Sequence, residues 1–266
     1  MAIDYVVNYA CVPKRTLGTD GILARLKGRD QAQRVIQVYR EAGDDRPFEQ
    51  MGFEFTRTHA DGQEETQVIL ISDLLTAAQE LHPLEGHCVG CVANALKRPF
   101  GCFGRINYPL TDHAERWLLL QLPTPSDAPL VWSLLGETLR ELNEQSAMVE
   151  SIRPQGVYFE SVLNPRRRLG EIAMSGNNLF YLLFMLGTFE PSRSAITLLF
   201  FHAIPRNLDA TDIFNLTPAP PDADERFPFL LSADATLDDQ TLHELKQFFQ
   251  ALYLGWRTET AVILDV

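Results

Sequence analysis

The chain predicts an α+β fold, an antiparallel or mixed sheet packed with helices, and three observations carry that expectation. Runs rich in β-branched and aromatic residues at 3–12, 53–58 and 66–71 read as strands. Apolar residues recur at helical spacing over 130–145, and again at Leu242, Leu245, Phe248, Phe249 and Leu252. Strands and helices do not alternate strictly, which disfavours a doubly wound parallel sheet. With 266 residues the chain can bury most of its apolar surface without disulfide staples.

The first strand, 3–12, is closed by Pro13 and places Cys11 at its exit. Asp20 is then expected to cap a helix through Ile22, Leu23 and Leu26. Val35, Ile36 and Tyr39 continue the pattern to Gly43, as a helical pair or one helix bent near Gly28. The 53–58 and 66–71 runs flank the turn dipeptide Asp61-Gly62, which predicts an antiparallel hairpin. Ser72 or Asp73 can cap the next helix, which Pro83 ends. The run 116–122 fits either a strand or the end of a helix begun at Asp112, since periodicity alone does not separate them.

Three prolines within 123–129 exclude both helix interior and central strand. They suggest a boundary between parts 1–123 and 124–266, with one continuous domain as the alternative. Beyond it, 156–163 reads as a strand, and 169–174 as the return of a hairpin after the arginine triplet 166–168. A buried helix is expected from Leu179 to Leu186 behind a polar cap, and 195–204 as a buried strand. The segment 207–227 is polar and proline-rich and reads as a long loop. Thr236-x-x-Asp239 has the form of a capping box before the last helix, and 260–264 closes as a strand.

A net charge of -12 argues against general affinity for nucleic acid, which depends on neutralising phosphates. Residues 1–40 run the other way, with seven Lys or Arg against three Asp, and read as solvated helix faces rather than an anion or RNA patch. No signal peptide is recognisable, and the apolar runs fall well short of the roughly 18 residues a membrane span needs. The expected location is therefore the reducing cytoplasm, where clustered cysteines more often bind metal or do redox chemistry than form bridges.

Three of the four cysteines fall between Cys88 and Cys102, and Cys88-x2-Cys91 has the spacing that lets two thiolates of one turn reach one ion. Adding Cys11 supplies four ligands, so Cys11, Cys88, Cys91 and Cys102 form a candidate zinc site in a cysteine-rich loop. Gly90, Gly101 and Gly104 would let the backbone fold tightly around it. An iron–sulfur cluster, a reactive thiol pair at Cys88 and Cys91, and simply buried cysteines are the competing readings. His87 adjoins Cys88 too closely to share an ion without strain; His82 and His113 are further alternatives for the fourth ligand. His59, His202 and His243 read as structural or exposed.

There is no dinucleotide fingerprint, phosphate-binding loop, nucleophile elbow or His-Glu-x-x-His. The arginine triplet could grip an anion, although a hairpin turn is the plainer reading. Two function classes follow. One is a zinc-stabilised binding or regulatory protein with a small-molecule or protein partner, favoured because a closed four-thiolate site leaves no position for substrate. The other is a small-molecule enzyme using thiol redox chemistry.

Overall fold

A computed structural model describes residues 1–58, 63–142 and 147–264. The chain is about half helix, with small antiparallel sheets packed by helices, so the α+β class is right. In order the elements are β1 (Ala2–Val7), α1 (Val12–Glu41), β2 (Gly52–Thr58), β3 (Glu64–Leu70), α2 (Ile71–Gln79) and β4 (Phe103–Asn107). Then come α3 (Asp112–Gln121), α4 (Pro129–Leu142), α5 (Ala147–Ile152), β5 (Arg166–Leu169), β6 (Ile172–Ser175) and α6 (Gly176–Phe180). The last are α7 (Pro191–Phe200), α8 (Ala210–Phe214), α9 (Ala223–Arg226), α10 (Gln240–Arg257) and β7 (Val262–Leu264).

Two compact units result, and the division differs from the one expected at the prolines. Residues 10–90 form one unit, while 1–9 and 91–266 form the other, with the 123–129 stretch inside the larger. The prolines do exclude regular structure there, but Thr124 and Asp127 tie the turn together: the Thr124 amide donates to Asp127 Oδ1 at 2.5 Å, immediately before α4.

In the larger unit β1 is the middle strand of a three-stranded antiparallel sheet, order β4-β1-β7, with Val6 opposite Phe103 on one side and Ile263 on the other. The sheet is covered by α10, whose Leu242, Leu245, Phe248, Phe249, Leu252 and Trp256 are buried, with Tyr5 edge-on to Phe248 at 5.2 Å. The expected cap at Thr236 moves three residues on: Asp239 is the N-cap of α10, accepting from the Leu242 amide at 2.8 Å. The Ser175 cap is as expected, with a full capping box to Asn178; α6 then widens into a π-helical turn over Tyr181–Met185.

Two predicted strands are not strands. The apolar run 195–204 is helix as far as Phe200, in α7, which Pro191 begins in its first turn, and turns beyond it; burial on both faces hides helical periodicity from the sequence. Residues 156–163 form a loop that touches β-structure only where Phe159 bridges Leu110. The ambiguous 116–122 run is the end of α3, capped by Thr111, which accepts from the Ala114 amide. The hairpin is not the one expected: the arginine triplet lies in strand β5 rather than in a turn and pairs antiparallel with β6 across a turn at Gly170, φ 67°, and 156–163 has no part in it. The 207–227 segment is a loop holding the short α8 and α9.

In the smaller unit Ala32, Met51 and Ile71 centre a core joined by Val35, Ile36, Phe53, Leu74 and Leu75. Strand β1 stops at Val7 rather than residue 12, because Pro13 starts α1 instead of ending a strand. The break in α1 lies at Gly18, φ 71° and ψ 166°, not near Gly28. Gly28 instead lets α2 approach: a Cβ there would lie 3.3 Å from Leu74 Cδ2. Helix α2 begins at Ile71 with no side-chain cap from Ser72 or Asp73; its Ile71 amide donates to Met51 O at 3.1 Å. β2 and β3 pair antiparallel as expected, while Asp61-Gly62 and His59 lie outside the described residues.

Candidate metal-binding segment

The predicted ligands enter the fold at four different places. Cys11 is the N-cap residue of α1, extended and making no side-chain capping bond. Cys88 ends a 3₁₀ segment, His82–Cys88, and is buried. Cys91 is half-buried, Cys102 is buried just before β4, and none of the four is in a disulfide. Cys11 and Cys88 belong to the smaller unit, Cys91 and Cys102 to the larger. Among the described residues no three His, Cys, Asp or Glu side chains gather as a metal site, so the geometry does not add to what the spacing suggests.

The alternative ligands have other partners. His82 Nδ1 lies 3.4 Å from Glu85 Oε2, and His113 Nδ1 lies 3.4 Å from Asp239 Oδ2. His87 is exposed. His202 is exposed at φ 52° just beyond α7, and His243 Nε2 contacts Gln247 Nε2 at 2.8 Å.

The stretch from Cys91 to Asn107 is a run of tight turns that delivers β4 to β1. Asn94 N donates to Cys91 O at 3.0 Å, Gly101 N to Arg98 O at 2.9 Å, Leu96 N to Gly101 O at 3.1 Å, and Val7 N to Cys102 O at 2.9 Å. Its glycines are explained by packing. Of Gly90, Gly101 and Gly104, only Gly90, just before the stretch, has a positive φ, 73°. A Cβ on Gly101 would run into the Asn94 carboxamide, and one on Gly104 into the ring and hydroxyl of Tyr5. The glycines flanking Cys102 thus make room for protein side chains.

The same stretch ends in a buried polar centre. Asn107 donates to Glu244 of α10 twice, from its amide to Oε2 at 2.6 Å and from Nδ2 to Oε1 at 2.5 Å, and Gln240 Nε2 adds a third bond at 3.0 Å. The neighbouring Tyr5 hydroxyl is buried and has no hydrogen-bond partner among the described residues. Burial, with the Glu244 charge second, pushes its pKa far above that of an ordinary phenol. Tyr108 then enters an aromatic group with Tyr158, Phe180 and Phe184, ring centroids 5.2 to 6.3 Å away.

A second buried centre carries full charges that sequence reading did not find. Arg153 Nη2 donates to Glu115 Oε1 at 2.5 Å, Nη1 donates to Ser161 O at 3.1 Å and Leu163 O at 3.0 Å, and Nε donates to Asn177 Oδ1 at 2.5 Å. The guanidinium also lies 3.7 Å from the Phe159 ring centroid. Gly176 is required beside it, since a Cβ there would collide with Glu115 and Arg153. Nothing in the sequence pairs a helical Glu with an Arg so distant, because each alone looks like a solvated charge.

Other arginines close helix ends or a turn, of which Arg206 is buried, Arg167 half-buried and Arg168 exposed. Arg167, the middle member of the triplet, donates from Nη1 to Leu119 O and Leu120 O at 2.7 and 2.9 Å, and Arg168 Nε donates to Gly170 O at 3.1 Å. Arg206 Nε donates to Leu199 O at 2.6 Å and Nη2 to the Gln121 and Phe200 carbonyls. Arg167 and Arg206 satisfy orphan carbonyls of α3 and α7 and Arg168 one of the hairpin turn, so Arg167 and Arg168 use donors that the anion reading would have assigned to a ligand. No protein-family model, no curated protein and no solved structure matches the chain.

Proposed function

We propose that the chain is a cytoplasmic binding or regulatory protein that takes one zinc ion through Cys11, Cys88, Cys91 and Cys102. The observation that carries the metal is the sequence spacing: a Cys-x2-Cys pair with a third cysteine eleven residues on, all outside disulfides. A binding role is supported over a catalytic one by the use made of the buried ionic groups. Glu115, Arg153, Arg206 and Glu244 all serve neighbouring protein atoms.

Elemental analysis of the purified protein tests the reading. About one zinc per chain, lost together with thermal stability in Cys88→Ser and Cys91→Ser, is the expected result. A metal-free chain that binds no added zinc, with each serine substitution costing only about 1–3 kcal/mol locally, overturns it. Brown colour with broad visible absorption would replace zinc by an iron–sulfur cluster.

A further inference from the structure

Away from the cysteines, a cleft of about 470 Å³ opens between α4 and the β5–β6 hairpin. That volume lies in the range of small-molecule sites. One wall is Trp132, half-buried and held in place because its indole N–H donates to Leu169 O at 2.8 Å. Its Cζ2 is 3.6 Å from where a Cβ on Gly170 would stand, so the hairpin turn lies against the ring, and Glu171 follows directly at the cleft. Gly136 gives α4 its close approach to the other side of the hairpin, where a Cβ would meet Ile172 Cδ1 at 3.1 Å.

The charges in the cleft are not balanced. Arg140 is occupied by Glu137, Nη1 to Oε1 at 2.5 Å, whereas Glu171 is exposed and has no ion-pair partner among the described residues. The cleft is therefore lined both by an immobilised indole and by a carboxylate that makes no ion pair among the described residues, the nearby Arg168 being bonded to Gly170 O. A cation is attracted to both, electrostatically by the carboxylate and by the quadrupole of the ring.

We propose that this cleft binds the cationic end of an alkylamine, with the ammonium against Glu171 and Trp132 and the methylenes along Ile172 and Ala173. A free diamine and the lysine side chain of a peptide share this chemistry. The inference does not depend on the zinc reading.

Titration of the full chain with cadaverine and with N-acetyl-lysine methylamide, followed by the indole N–H resonances, separates the two sources. Pentane-1,5-diol is the uncharged control. One or both amines should shift the Trp132 resonance saturably, the diol should not, and Glu171→Gln, an exposed and fold-neutral change, should weaken binding about tenfold. Trp132→Phe, followed by the backbone amide resonances of the β5–β6 hairpin, keeps an aromatic wall and should weaken it less than Glu171→Gln. Absence of saturable shifts from either amine up to about 10 mM, equal binding of the diol, or undiminished binding by Glu171→Gln overturns the proposal.

Discussion

Arg153 and Glu115 meet in the interior with their side chains about 97% buried, and the contact between Nη2 and Oε1 is 2.5 Å. Nη1 of the guanidinium ties down the carbonyls of Ser161 and Leu163, and Nε the Asn177 side chain. This one pair fixes α3, the 3₁₀ turn at Arg153 and the loop 156–165 relative to one another. It also accounts for residues 156–163 being a loop: their carbonyls are drawn to a cation, not to a neighbouring strand.

Removing either partner leaves an uncompensated charge in the core. Arg153→Met or Glu115→Leu should each cost about 3–5 kcal/mol in urea unfolding, and the two together should cost clearly less than the two single changes added. Additive losses would show that the pair is not coupled.

Gly101 and Gly104 separate packing from ion binding. Gly104→Ala drives a methyl group into Tyr5 and should cost about 1–3 kcal/mol in metal-free protein. Tyr5→Leu should relieve part of that loss, measured by a double-mutant cycle. If Gly101→Ala and Gly104→Ala changed only zinc affinity and left the metal-free melting temperature alone, the glycines would be serving the ion.

Acid stability has a traceable contributor on α9. The Arg257 guanidinium, donating to Asp224 at 2.7 and 2.9 Å, holds that carboxyl below its usual range. A depressed folded pKa gives stability that is complete above the unfolded value of 3.8 and is lost as pH falls through the folded one. Asp224 is largely exposed, so screening limits the effect: Asp224→Asn should lower stability at neutral pH by about 0.5 kcal/mol and flatten the slope below about pH 4. An unchanged acid limb would rule the contribution out.

The unit boundaries predict which part can be removed. Replacing residues 10–90 by a short Gly-Ser linker should leave 1–9 and 91–266 unfolding in one cooperative transition, because Val7 and Cys102 are already hydrogen-bonded neighbours. Loss of that transition would show that the larger unit needs the smaller. Cleavage confined to 123–129, giving two stable fragments, would restore the division at the prolines.

How much of this was legible in the sequence depended on how far the deciding partner lay along the chain. The β2–β3 hairpin, the Ser175 cap and the amphipathic α10 are set by neighbours within a few residues, and all were readable. The 195–204 run was misread because its helical face and its back are both covered, erasing the 3.6-residue pattern. Pro13 was misread because a proline ends a strand and starts a helix equally well. Glu115–Arg153 and Asn107–Glu244 could not be read at all, since their pairing is a product of the fold. At the cysteines the reverse holds: spacing suggests chemistry that the described side chains do not display.

The place of β1 in its sheet has a consequence for biosynthesis. Of the three strands in its sheet it is the first to be synthesised, and among the described residues the only strand hydrogen-bonded on both edges, yet β4 follows after the whole smaller unit and β7 after α10. Until translation has passed β7, the nascent chain carries an apolar strand with at least one edge open, the kind of segment that chaperones hold and that pairs wrongly between chains. Early folding of residues 10–90 would shorten the effective loop between β1 and β4, but nothing shortens the wait for β7. Yield of native protein should thus be governed by how long that single strand is kept from other nascent chains.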